Sequence, residues 1–169
     1  MSKVRSRAQA SSFQASYDET LWSRSGFLAR RLHQIHVAIF LTAFADEGLT
    51  PIQWGVMTVV GGHPGLNFGE IALALGIDRS NAGDVSIRLA EKGMVTLSPS
   101  KKDRRMKCVY LTKKSAKLLR ENETRVKQTQ DQLLRPLTMA ERKMFFELLK
   151  RIVVFNNEFS RAPIKVAAE

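Results

Sequence analysis

The chain has 169 residues, 44% of them hydrophobic and 25% charged, the make-up of one folded domain with an extension at most and not of a collagen-like or low-complexity polymer. A single cysteine excludes an internal disulfide and a cysteine-rich zinc module, and no uncharged apolar run reaches the ~20 residues of a membrane-spanning helix. The formal charge of +11 is uneven: residues 1–78 balance 6 basic against 6 acidic side chains, residues 121–169 hold 9 against 7, and residues 79–120 hold 12 against 3. A basic excess inside a folded stretch, away from either end, points to a surface for a polyanion.

Residues 1–23 carry Arg and Ser without the apolar middle of a secretory signal, and read as a flexible basic arm. A helix is predicted over 24–46 from the apolar stripe Leu28, Leu32, Ile35, Ile39 and Ala43. Thr50, Pro51 and Gln53 then form a capping box with proline at the first helical position, and Trp54, Met57 and Val60 follow as the buried side. The run from Gly61 to Gly65 ends that helix. Asn67 with Glu70 caps a short helix that buries Ile71, Ala72 and Leu75 and stops at Gly76. Asp78 is placed to cap the next helix, which runs to about Lys92 with Ala82, Val85 and Leu89 on its buried side. Two short helices joined by Leu75-Gly76-Ile77-Asp78 make a helix-turn-helix.

Met94–Ser98 and Arg105–Leu111 read as strands around a charged turn, so a β-hairpin follows the helix-turn-helix directly, the arrangement of a winged helix. One long helix is expected from the Thr112 cap to about Leu134, before Pro136. A last helix opens at the Thr138–Glu141 capping box and runs to about Phe159. Its apolar residues, Met144 through Phe155, cover more than one face, which implies a second chain against it. Residues 161–169 are expected to fray. The fold class is therefore mainly α with a small β-hairpin. A single domain over 24–160 is divided into a DNA lobe at about 50–112 and a helical dimerisation lobe from 24–48 and 113–160.

This order of elements, with Leu49-Thr50-Pro51-Ile52-Gln53-Trp54, Leu75-Gly76-Ile77-Asp78-Arg79-Ser80, Arg88-Leu89, Glu91-Lys92-Gly93, Asp103-Arg104-Arg105, Val109-Tyr110-Leu111-Thr112 and Leu137-Thr138 with Glu141-Arg142, resembles the MarR family of bacterial transcription regulators over about residues 25–158. The resemblance implies a homodimer on a pseudo-palindromic double-stranded operator, with the fourth helix in the major groove and the wing in the minor groove. It also implies a repressor released by a small organic effector and a cytoplasmic location. A ligand-independent regulator or an activator is the alternative. The rival class is a protein-interaction module with an incidental basic wing. Two positions depart from the family pattern: Gly83-Asp84 in the recognition helix, and Ser115 where glycine is common.

For DNA the candidates are Ser80, Asn81, Asp84 and Arg88 on the recognition helix, and Lys101, Lys102, Asp103, Arg104 and Arg105 at the wing. Asn pairs bidentately with adenine, and a carboxylate accepts from cytosine N4. In the family pattern Asp103 looks like a brace for the Arg105 guanidinium, aimed at the minor groove. An effector pocket is expected between the lobes, with Arg24, Phe27, His36, Phe40, Trp54, Met57, Thr58 and His63 as wall candidates suited to an aromatic carboxylate. Arg30 and Arg31 suit the phosphates of its coenzyme A thioester. No cofactor or metal is expected, because His33 and His36, three apart, have no further ligands beside them. Cys108 has no second cysteine to resolve an oxidised thiol. No nucleophile elbow, phosphate loop or HExxH pattern is present, so no enzyme is expected.

Overall fold

The computed structural model describes residues 19–100 and 103–164. A short α1 (Glu19–Trp22) leads into α2 (Ser25–Ala43), followed by α3 (Pro51–Gly62), β1 (Leu66–Asn67), α4 (Phe68–Leu75) and α5 (Arg79–Glu91). Then come β2 (Val95–Pro99), β3 (Lys107–Leu111), α6 (Lys113–Glu121), α7 (Glu123–Leu133), α8 (Met139–Phe155) and a 3-10 turn at Asn157–Phe159. Lys101, Lys102, the arm up to residue 18 and residues 165–169 lie outside the described residues.

The local signals set the helix starts. The Gln53 N–H donates to Thr50 Oγ1 at 3.3 Å and the Thr50 N–H donates to Gln53 Oε1 at 3.1 Å, closing the capping box of α3. Asn67 Oδ1 takes the amides of Gly69 and Glu70, while Glu70 Oε2 accepts from the Asn67 N–H at 2.8 Å. Thr138 and Glu141 do the same for α8. Each cap satisfies amides that a helix start would otherwise leave unpaired, worth about 1 kcal/mol. Asp78 departs from this pattern. It holds the cap position of α5, but its carboxylate makes no cap bond and lies 3.6 Å from the Arg161 guanidinium.

The main core is built from α3, α4 and α5 against the sheet. Val56, Met57, Val60, Ile71, Ala82, Leu89 and Val109 are fully buried. A fully buried Leu, Val or Met contributes about 1.5–3 kcal/mol relative to exposure. The expected hairpin is present, with Val95 opposite Leu111 and Leu97 opposite Val109. A third strand, β1, pairs on the far side of β3, Leu66 with Val109 and Asn67 with Cys108, so β3 is central in the order β1-β3-β2. Two residues are too few to show an alternating pattern in sequence.

The expected single helix over 112–134 is broken at Asn122, with φ −109° and ψ 11°. The Asn122 side-chain amide and its backbone N–H both donate to the Leu118 carbonyl, and its Oδ1 accepts from Arg125 at 3.2 Å. A side chain that bonds nearby backbone competes with the helical ladder. Ser115, the other departure from the family pattern, is fully buried and donates from Oγ to the Met94 carbonyl at 2.5 Å. It ties the start of α6 to the segment that leaves the recognition helix.

None of the residues of α8 is buried. Phe145, Phe146 and Leu149 turn toward α2 and α7, and Met144, Leu148, Ile152 and Phe155 form an outward stripe, with Phe155 81% exposed. The chain then folds back: the amide of Ile164 donates to Asn157 Oδ1 at 3.0 Å, and Asn157 Nδ2 donates to the Ile164 carbonyl at 2.8 Å. The expected fraying therefore does not begin before Ile164, whose side chain covers the turn of the helix-turn-helix.

That turn needs glycine twice over. Gly76 has φ +64°, and a Cβ there would lie 2.9 Å from Ile164 Cγ2. Gly76→Ala should cost about 1–2 kcal/mol from the left-handed backbone alone, read as a lower urea midpoint. Ile164→Ala removes the clashing methyl, so the double variant should be destabilised by less than the sum of the two single variants. An unchanged midpoint in Gly76→Ala would contradict this turn.

Candidate nucleic-acid interface and effector cavity

On α5 the residues Ser80, Asn81, Asp84 and Arg88 are all exposed, and Ala82, Gly83, Val85, Ser86 and Leu89 are buried. One polar ridge therefore faces solvent along the whole helix. Gly83 explains its own departure from the family pattern: a Cβ there would come within 3.2 Å of the Phe68 ring, so glycine lets α5 seat on the start of α4. Two residues of this ridge are not among the sequence candidates. Arg79 opens it, and Ile87 stands 41% exposed within it. An apolar side chain on such a ridge is a contact for the thymine methyl.

At the wing, Asp103, Arg104 and Arg105 are exposed. Asp103 does not brace the Arg105 guanidinium. Its Oδ1 accepts the Arg105 backbone N–H at 2.9 Å, and the Met106 N–H donates to the Asp103 carbonyl at 3.0 Å. The carboxylate shapes the turn and leaves the guanidinium unpaired among the described residues. Between the wing and the recognition helix lies a cleft of about 170 Å³ lined by Asn67, Phe68, Arg79, Arg105, Met106 and Lys107.

Behind this face is a much larger apolar cavity of about 700 Å³. Trp54, Gly55, Thr58 and Gly61 of α3 form one wall, and Ala116, Leu119, Arg120, Glu123 and Val126 of α6 and α7 form another. Leu75, the last residue of α4, and Leu111, the last of the wing strand, close the side toward the DNA lobe. Of the sequence candidates, Trp54 and Thr58 line it. Met57 is fully buried in the core, and Phe40 is buried with its ring 4.4 Å from Phe44 and 6.1 Å from Trp54. Arg24 is the cap residue of α2, and His63 ends α3, exposed. Arg30 lies over the Phe27 ring at 5.7 Å, and Arg31 donates to Gln34 at 2.9 Å, so neither lines this cavity. Arg120, which sequence reasoning missed, is its one cation among the described residues. No local pattern marks it, because the wall joins segments some 60 residues apart.

Comparison with known proteins fits this geometry. The family model described as MarR family matches residues 47–106, the helix-turn-helix and wing. A protein of Thauera aromatica described as a transcriptional regulator for the hcr operon is 32% identical over 134 residues, covering 77% of this chain and 81% of its own. The chain belongs to the MarR family. It is thus placed among transcriptional regulators and not enzymes. Two solved MarR-type structures superpose closely. BpsR of Bordetella bronchiseptica, whose DNA binding is regulated by 6-hydroxynicotinic acid, has a TM-score of 0.71 at 28% identity, over 77% of this chain and 93% of that one. The transcriptional repressor CouR, solved on a 23-mer DNA duplex, has a TM-score of 0.72 at 29% identity, over 79% and 94%.

A second cavity, of about 340 Å³, lies where His33 and His36 of α2 meet Gln130 and Leu133 of α7, the following Leu134, and Phe145, Phe146 and Leu149 of α8. Burial there, helped by the neighbouring charge of His33, holds the His36 imidazole below its ordinary pKa. The folded state thus binds the proton less readily than the unfolded chain. Stability is complete above pH ~6.5 and falls as pH drops through and below that value. His36→Gln should flatten this dependence. Thermal midpoints from pH 7.5 to 5.5 should fall more in the wild type than in the variant, and parallel curves would remove His36 as the cause.

Proposed function

We propose that the protein is a homodimeric repressor whose grip on an operator is released by a small aromatic carboxylate bound in the large cavity. One observation carries this reading: the cavity touches both supports of the DNA-facing surface from behind. Leu75 precedes the turn that aims α5, and Leu111 ends the strand that carries the wing. An occupant that displaces either changes the relation between recognition helix and wing. The lining suits an aromatic acid, with the Trp54 ring and the aliphatic side chains around the body and Arg120 for the carboxylate. The neighbour regulated by 6-hydroxynicotinic acid and the neighbour solved on DNA support the same reading. Ser80, Asn81, Asp84, Ile87 and Arg88 would meet base edges, and Lys101, Lys102, Arg104 and Arg105 would carry the wing's charge to DNA.

Dimerisation follows from the outward stripe of α8. Met144, Leu148, Ile152 and Phe155 recur at helical spacing on a helix without one buried residue. A contiguous apolar stripe of this kind marks an interface, and a second copy supplies an identical stripe to meet it. Sedimentation should give a two-chain mass at micromolar concentration for the wild type and a one-chain mass for Ile152→Asp. A one-chain mass in the wild type would overturn the dimer.

The effector reading is tested in the cavity. Gly55 is a helical glycine whose Cβ would sit 3.4 Å from Leu75, an ordinary contact. Gly55→Leu therefore places a larger side chain in the cavity, beside Leu75 and away from the exposed ridge of α5. It should lose the further release caused by aromatic acids such as 6-hydroxynicotinate, measured against its own operator affinity without them. Fluorescence of Trp54 in a Trp22→Phe background reports occupancy directly. Release that persists unchanged in Gly55→Leu would place the effector elsewhere.

A further inference from the structure

We propose that the small cleft between the start of α5 and the base of the wing is the seat of a single DNA backbone phosphate, held by Arg79, Lys107 and Arg105. The proposal rests on the DNA-binding reading above and assigns a role to two residues, Arg79 and Lys107, that are not among the sequence candidates.

Three cations open onto one cleft of about 170 Å³, and no acid among the described residues lines it. Like charges gathered in one cleft add their fields and favour an anion there. The nearby carboxylates are engaged elsewhere. Glu70 accepts the Asn67 N–H at 2.8 Å, Asp103 accepts the Arg105 N–H at 2.9 Å, and Asp78 lies 3.6 Å from Arg161. Among the described residues no ion pair engages Arg79, Arg105 or Lys107. Asn67 adds a neutral donor, because its Oδ1 is spent on the Gly69 and Glu70 amides while its Nδ2 has no partner among those residues.

Size and placement select the anion. The cleft falls below the roughly 300–1,000 Å³ of an organic-ligand pocket. Its walls come from the recognition helix and the central wing strand, the two elements that approach the duplex. Asn67, paired with Cys108 of β3, caps α4, and α5 seats on the first residue of α4 where Gly83 meets the Phe68 ring. A phosphate taken here would lock the register of both on the duplex, the task phosphate contacts perform, while base edges carry sequence.

The experiment uses the full-length protein and operator duplexes in which one phosphate at a time is replaced by a neutral methylphosphonate. One position per half-site should weaken wild-type binding by about tenfold or more, the scale of a charge-assisted bond. In Arg79→Ala and in Lys107→Ala the same replacement should cost clearly less, because one of the three cations that meet the phosphate is already gone. The log–log salt slope should become shallower by about 0.9 for each phosphate that is no longer neutralised, twice that for a symmetric dimer, with the base-preference profile unchanged. Arg79→Lys should restore part of the slope. Sensitivity to every methylphosphonate retained undiminished in both variants would overturn the seat. A wild type that shows no salt-dependent DNA binding would instead remove the functional reading itself.

Discussion

The Phe44 ring stacks on Phe40 at 4.4 Å with the planes 17° apart, leans on Trp54 at 4.8 Å, and carries the Arg125 guanidinium 4.8 Å above its face. Those four residues come from α2 and the turn after it, from α3 and from α7. Arg125 is held there by Glu47 at 2.6 Å and by Asn122 at 3.2 Å. The helices α2, α3 and α7 thus share one aromatic stack clamped by one cation. A cation over an aromatic face, partly withdrawn from water, is worth about 1–2 kcal/mol, and stacked rings add a similar amount beyond their burial. Trp54 is at once part of this stack and part of the cavity wall, so an occupant of the cavity bears on the joint between the lobes.

The cavity itself is made by what α3 lacks. A glycine inside a helix costs about 0.5–1 kcal/mol relative to alanine, and α3 has one at Gly55 and another at Gly61, both on the cavity side. At Gly61 a Cβ would press within 3.2 Å of Leu111 and 3.4 Å of Leu119. Helix propensity is given up where the space is needed. The capping box at Thr50 and the burial of Val56, Met57 and Val60 offset the loss.

What is legible in the sequence is what is decided locally. The capping boxes at Thr50, Asn67 and Thr138, the left-handed Gly76 and the paired wing strands rest on nearby residues, and all are present as expected. The features that differ involve a competitor the pattern does not show. The neighbours of Asp78 make it a cap, but Arg161 takes its carboxylate. The family pattern puts Asp103 on the Arg105 side chain, but it bonds the backbone amide instead. The break at Asn122 is fixed by Arg125 and Glu47, 78 residues apart from each other. The exposed ridge of α5 is legible because a 3.6-residue period separates its two sides. The walls of the cavity are not, because Leu75, Leu111 and Arg120 share no period, and only the fold brings them together.

The two-residue strand β1 has a consequence for how this protein can vary. With β1 on one side and β2 on the other, β3 is paired along both edges at Cys108 and Val109. A slip of one residue would turn the fully buried Val109 outward and exchange it for a neighbour. Insertions or deletions within Lys107–Leu111 are therefore excluded. Descendants of this chain can exchange the side chains that β3 shows to solvent, and must keep the number of residues in it.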